Sequence, residues 1–379
     1  MLTYCTNIHP GESWAEVQSA VYRHVPEVRA ALLAGGAPDQ PFPLSLWISG
    51  RAARELEEEG SARFLEFCKT QRCAPSSING FPYGAFHGQR VKEEVYLPDW
   101  RDPERAAHTA RLARILGGWL QAAPGQTGVI STVPLGFKGQ PGADWSEARK
   151  QLVSALESLD AVSQATGREL VLSLEAEPAC LLETTAEVIT FFDQLKLPPA
   201  LARHLGVCFD CCHQAVQFER PAESLRALLD AGVRLSQAHV TCALRVPGGA
   251  LETLRQFAEP VYLHQTVGRR TDGRLLRFAD LPQALASGVD GSGIDEWRVH
   301  FHAPVFAEEV GGIRTTQPEL RELLAALPPE VPLVVETYTF GVLPEALRLP
   351  TVAASIAREL LWVRRQAGAM SGSAAKGAR

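Results

Sequence analysis

Six ionisable residues stand at, or just after, the ends of short apolar runs: His9, Glu175, Glu177, Asp210, His239 and Glu336. A charge beside a buried strand costs free energy unless a partner or a metal compensates it. Their repeated placement at equivalent run ends therefore points to a site. Glu175, Asp210, His239 and Glu336 together offer three carboxylates and one imidazole. That oxygen-rich set suits a divalent metal such as Mn, Mg, Co or Zn, and does not suit copper or an iron–sulfur cluster. Taken singly, each can equally be a buried polar group satisfied by local hydrogen bonds; the set carries the metal reading. Glu177 lies two residues beyond Glu175, so in a continuing strand both point the same way. It can orient a ligand or serve as an additional base.

Further groups are open to more than one reading. Asn7, His9 and His87 add polar side chains suited to binding a substrate, and Phe81, Tyr83 and Phe86 form a Gly/Pro/aromatic loop around His87. Those rings can stack on a ligand ring or simply pack the loop. Arg269-Arg270 can meet an anionic substrate or form a solvated surface, and Glu57-Glu58-Glu59 is a solvated helix end. Of eight cysteines, Cys208, Cys211 and Cys212 cluster ahead of His213. With no second pair to complete a four-ligand zinc site, core packing is favoured over structural zinc or redox chemistry.

The elements that must position these residues follow from periodicity. Apolar runs of strand length fall at 2–8, 44–49, 76–79, 128–133, 170–174, 206–209, 235–240 and 333–335, apolar nearly throughout, as in strands buried on both faces. Between them lie helical patterns at 13–33, 102–122, 145–165, 184–195, 221–231, 317–327 and 344–366. Ser13 and Glu16 spell a capping box, Asp102-Pro103 an N-cap with proline at the first helical position, and Gly167 a C-terminal glycine. Eight strands alternating with helices predict a (β/α)8 TIM barrel over 1–366 as a single domain, with strand ends converging on one face. Neither a Gly-x-Gly-x-x-Gly after the first strand nor a P-loop favours a doubly wound sheet. Residues 250–305 break the alternation and read as an insertion on the catalytic face, after the seventh strand, with one short strand of its own around Trp297–Phe301. Residues 367–379 read as a disordered tail.

The chain has 379 residues, a net charge of −6 and 46% hydrophobic residues. The acidic balance argues against nucleic acid as a partner. No apolar window is long enough for a transmembrane segment, and Met1–Cys5 lacks the start of a secretory signal. Dispersed cysteines agree with a cytoplasmic protein.

The order Leu174-Glu175-x-Glu177-Pro178, Phe209-Asp210-x-x-His213, Ala238-His239-Val240 and Val335-Glu336-Thr337 resembles the xylose-isomerase-like barrels, which include sugar isomerases, ketose epimerases and endonuclease IV. More closely, Thr3-Tyr4-Cys5-Thr6-Asn7-Ile8-His9-Pro10-Gly11-Glu12, Asn79-Gly80-Phe81-Pro82-Tyr83-Gly84-x-Phe86-His87-Gly88 and His300-Phe301-His302-x-Pro304-Val305-Phe306 resemble the EboE-type metabolite traffic proteins, from 2 to about 365. The first resemblance implies a metal holding two adjacent oxygens of a hydroxy-carbonyl substrate and stabilising an enediolate. Glu175 and Glu336, on opposite walls, would be ligands and pass the proton as acid and base. Asp210 and His239 would complete the ligand shell, and His213 would bond substrate or a second metal. His300 and His302 alternate on one face of a strand; they would bind further metals, as a similar pair does in endonuclease IV, contact substrate, or be structural. The second resemblance implies a small-molecule metabolite and, as partners, other products of a metabolite-traffic gene cluster. Two functions follow: a metal-dependent isomerase or epimerase, or a metabolite-binding barrel that assists precursor export without turnover.

Overall fold

The computed structural model describes residues 1–120, 126–139 and 145–377. Seven parallel strands come first: β1 (Leu2–Tyr4), β2 (Phe42–Trp47), β3 (Cys73–Asn79), β4 (Gly128–Thr132), β5 (Leu170–Glu175), β6 (Leu205–Asp210) and β7 (Leu235–Val240). Six more form an antiparallel sheet: β8 (Cys242–Pro247), β9 (Thr266–Arg270), β10 (Leu275–Phe278), β11 (Ile294–Ala303), β12 (Glu309–Val310) and β13 (Ile313–Thr315). The chain then returns to the barrel as β14 (Leu333–Val335), between β7 and β1. The ladder thus runs β1-β14-β7-β6-β5-β4-β3-β2. A bridge between Cys5 and Ser45 brings its two ends together, so the protein is a (β/α)8 barrel.

Every residue of β4, β5 and β6 is buried, which is why these strands read as nearly continuous apolar runs. The helix Trp14–Ala34 begins with the capping box: Ser13 Oγ accepts from the Glu16 amide at 3.3 Å and Glu16 Oε2 accepts from the Ser13 amide at 2.9 Å. Gly167 ends the helix Trp145–Thr166 at φ +66°, a left-handed conformation that glycine adopts without strain.

The insertion and the last helix differ from the sequence expectation. The insertion is a six-stranded sheet and not a loop with one short strand. It starts at Cys242, with only Thr241 between it and β7, so its first apolar run is continuous with a barrel strand and periodicity alone cannot divide the two. The last helix starts at Val352 and not at Pro344, because Pro350 would remove a hydrogen bond from a helix passing through it; a single 3-10 turn, Glu345–Leu347, stands before it instead. That helix continues to Gly377, through much of the stretch that composition assigns to a disordered tail. The predicted end of the second helix, at 122, lies outside the described residues.

Candidate metal centre

β5, β6 and β7 end on Glu175, Asp210 and, one residue short of its end, His239; Glu336 follows β14 directly. Their ligand atoms all lie within 4.8 Å of one another, and all four residues are buried. Each carboxylate's geometry is set from outside the cluster. Asp210 caps the helix Cys211–Val216: its Oδ1 accepts from the His213 amide at 2.9 Å and from Thr241 Oγ1 at 2.7 Å. Its other oxygen, Oδ2, is buried without a hydrogen-bond partner. Glu336 Oε1 accepts from Asn7 Nδ2 at 2.9 Å and Asn79 Nδ2 at 2.8 Å, leaving Oε2 at 3.0 Å from His239 Nδ1. Glu175 Oε1 lies 2.9 Å from the same nitrogen. An unsatisfied buried carboxylate oxygen facing two further carboxylates and one imidazole fits a divalent cation.

The charges of the cluster support that fit. Burial drives Glu175 up to about 7, with His239 pulling it back and Glu336 adding repulsion. Burial also raises Asp210. Glu336 goes the other way: burial opposes its charge, but His239, and then His302 and His213, hold it down at about 2. His239 is held well above its ordinary value despite burial, by Cys208, Glu175 and Glu336. The surrounding carboxylates therefore favour a proton on His239, and a metal bound there would displace it. Gln237 Nε2 lies 3.1 Å from His239 Nε2, while Gln237 Oε1 has no partner. Rotating that amide lets Oε1 accept from Nε2–H, which frees the Nδ1 lone pair for a metal.

A second cluster adjoins the first. His213 Nδ1 donates to the Ala176 carbonyl at 2.9 Å, His302 Nδ1 to the Glu336 carbonyl at 2.6 Å, and His300 Nδ1 to Gln265 Oε1 at 2.6 Å. Each ring's proton is thereby assigned, and all three Nε2 atoms present lone pairs. His300 Nε2 is 3.2 Å from His213 Nε2 and 3.0 Å from His302 Nε2. Burial lowers all three, His213 to about 3, so they are neutral imidazoles whose lone pairs face one another. Glu177 accepts from Tyr96 Oη at 2.7 Å and Gln265 Nε2 at 3.1 Å, and burial pushes it up to about 8.

A cavity of about 60 Å³ opens onto both clusters. Asn7, Phe81, Glu175, Glu177, His213, His300, His302 and Glu336 line it. His9 does not: its Nε2 is 3.1 Å from Tyr4 Oη and its ring stacks on His24, because β1 ends at Tyr4 and the turn Thr6–Ile8 carries His9 behind the wall. His87 also stands behind the lining, with Nε2 2.6 Å from the Asn7 carbonyl. Arg269 pairs with Asp295 and covers Phe218, away from the cavity. The cysteines do not converge: Cys208 stands with Glu175 and His239, Cys212 with His300 and His302. Asn79, Thr241, Gln237, Gln265 and Tyr338 are parts of the site that strand-end charge could not reveal, since neutral amides, hydroxyls and phenols carry no such signal.

No family model matches the chain. No curated protein matches it either. Among solved structures, L-ribulose 3-epimerase is similar over 100% of this chain and 98% of its own, at 12% identity and a TM-score of 0.52. D-allulose 3-epimerase from Methylomonas sp., in complex with D-allulose, is similar over 96% of each chain, at 15% identity and a TM-score of 0.49. The IOLI protein with a binding zinc atom covers 97% of this chain and 98% of its own, at 11% identity and 0.47. At such identities the likeness speaks to the backbone alone. The first of the three, at a TM-score of 0.52, agrees with the architecture described above: the chain adopts a (β/α)8 barrel.

Proposed function

We propose that this chain is a divalent-metal-dependent isomerase or epimerase acting on a hydroxy-carbonyl, sugar-like compound. Asp210 Oδ2 carries the reading: a buried, unpartnered carboxylate oxygen within 4.8 Å of the ligand atoms of Glu175, His239 and Glu336. Bound there, Mn, Zn, Co or Mg supplies Lewis acidity toward adjacent hydroxyl and carbonyl oxygens. The chain's own residues do the rest. Asn7 and Asn79 fix Glu336. Glu336, held ionised beside His239, takes a proton from the carbon next to the carbonyl, and Glu175 or Glu177, raised by burial to about 7 and about 8, returns one. Phe81 and its neighbours limit water at the reacting carbons.

The experiment is solvent deuterium exchange into a hydroxy-carbonyl substrate by metal-loaded protein. Exchange that is lost in Glu336→Gln while binding survives supports turnover. The similarity of residues 3–12, 79–88 and 300–306 to metabolite traffic proteins supports a place in secondary-metabolite processing, with products of the same gene cluster as partners. It also favours the second reading, a binding barrel that hands on a metabolite; that barrel binds ligand and shows no exchange in either protein. The facing lone pairs of His213, His300 and His302 support an additional cation, and elemental analysis giving two or more equivalents of metal tests it.

A further inference from the structure

The cavity has two unlike halves. Its floor carries the carboxylates and imidazoles; its outer wall is an aromatic collar drawn from three separate segments. Phe81 and Phe86 come from the loop after β3, Tyr262 and Leu263 from the insertion, and Tyr338 from the turn after β14. Three of the rings pack on one another: centroids lie 5.0 Å apart for Phe86–Tyr262, 5.3 Å for Phe86–Tyr338 and 5.0 Å for Tyr262–Tyr338. Val91 and Val95 extend the same wall. Two of the polar groups at its rim, Lys92 and Tyr96, are committed elsewhere. Lys92 Nζ binds Asp280 at 2.7 Å and the Glu259 carbonyl at 3.1 Å, and Tyr96 Oη binds Glu177 at 2.7 Å.

A polyol bound with its head on the floor would lay its remaining hydroxyls along this wall, and each one desolvated without a partner costs affinity. A flat apolar group there gains area and edge-to-face contacts instead. We infer that the ligand joins a hydroxy-carbonyl head to an aryl or comparably flat unsaturated group, the ring lying in the Phe86–Tyr262–Tyr338 collar. The inference rests on the proposed seating of the head at the metal cluster and narrows that reading to a head that carries such a flat group.

The probes are 2-hydroxyacetophenone and 1,3-dihydroxyacetone, which share a hydroxymethyl ketone and differ in the ring. Calorimetric titration of the Mn-loaded full chain should show the aryl compound binding about tenfold or more tighter. Phe86→Leu and Tyr262→Leu, checked for an unchanged circular dichroism spectrum, should shrink that preference to about threefold while leaving dihydroxyacetone's affinity in place. Equal or tighter binding of dihydroxyacetone, a preference unmoved by both variants, or no binding of either compound overturns the inference. Repeating the titration with chelator and with Asp210→Asn separates the two readings. A ring preference that persists while affinity ignores the metal leaves the collar standing and removes the head from the metal.

Discussion

Asp210 divides its oxygens between two tasks, and that division makes it testable. Oδ1 caps the helix Cys211–Val216 and takes the Thr241 hydroxyl, while Oδ2 faces the cluster. Asparagine caps helices about as well as aspartate, so Asp210→Asn should keep the fold and replace only the inward oxygen by a group without a lone pair. Mn at about a hundred times its Kd should raise the wild-type Tm by roughly 3 °C. The variant should show no rise, read by differential scanning calorimetry with and without chelator. Glu359 gives a second test. It is wholly buried in the last helix, bonded to Thr337 Oγ1 at 2.6 Å, and burial lifts it from 4.5 to about 7. The native state therefore binds more protons than the unfolded chain between about pH 4.5 and 7. Stability is fully present below that window and falls as pH rises through it. Glu359→Gln should flatten this slope and stabilise the protein at pH 8 by on the order of 1–3 kcal/mol, measured by urea denaturation across that range. Strand-end charge made Glu175, Asp210, His239 and Glu336 legible in the sequence, since a carboxylate closing a buried run is costly unless donors or a cation meet it. The same rule misplaced His9, because an apolar run from Leu2 to Ile8 hides the point where strand gives way to turn.

Between the elements, the loop after β3 is fastened to the insertion. The amides of Val91 and Lys92 donate to the Val261 carbonyl at 2.8 and 3.1 Å, and Lys92 Nζ reaches Asp280, which also caps the helix Leu281–Ala286. Both ends of that ion pair are nearly buried. Removing one partner of a buried pair strands the other, at a cost of about 3–5 kcal/mol. Lys92→Met should therefore loosen this junction more than Lys92→Met/Asp280→Asn does. Hydrogen exchange at 91–96 and 259–265 should accelerate in the single variant and recover in part in the double, with exchange in β5 and β6 unchanged. Equal acceleration in both would show that the pair's charge is not what holds the junction. Barrel strands such as β5 and β6 were legible because parallel strands covered on both faces are apolar along most of their length. The insertion's sheet was not, because short strands such as Leu275–Phe278 are only partly buried and alternate too briefly to show a period.

Across the whole molecule, eight strands close into a barrel through one thin seam. Seven neighbouring pairs carry ladders of three or more paired residues, while β1 meets β2 at the single bridge Cys5–Ser45. Side chains supply what the backbone there does not. Thr3 Oγ1 donates to the Pro43 carbonyl at 2.6 Å, and Thr6 Oγ1 accepts from the Trp47 amide at 2.9 Å. Trp47 is buried, so its N–H has no access to water if Thr6 withdraws. Asn7, which orients Glu336, follows Thr6 directly, so the seam also sets one wall of the carboxylate–histidine cluster. Thr6→Val keeps the shape of the side chain and removes the acceptor, which should cost about 1–3 kcal/mol for the stranded amide. The exposed Thr190→Val should change stability by no more than about 0.5 kcal/mol. Urea denaturation of both variants checks the difference, and Mn affinity checks its reach. If the seam positions Asn7, Thr6→Val weakens metal binding as well as the fold, whereas Thr190→Val moves neither. A stability loss with unchanged Mn affinity would confine the seam's role to closing the barrel.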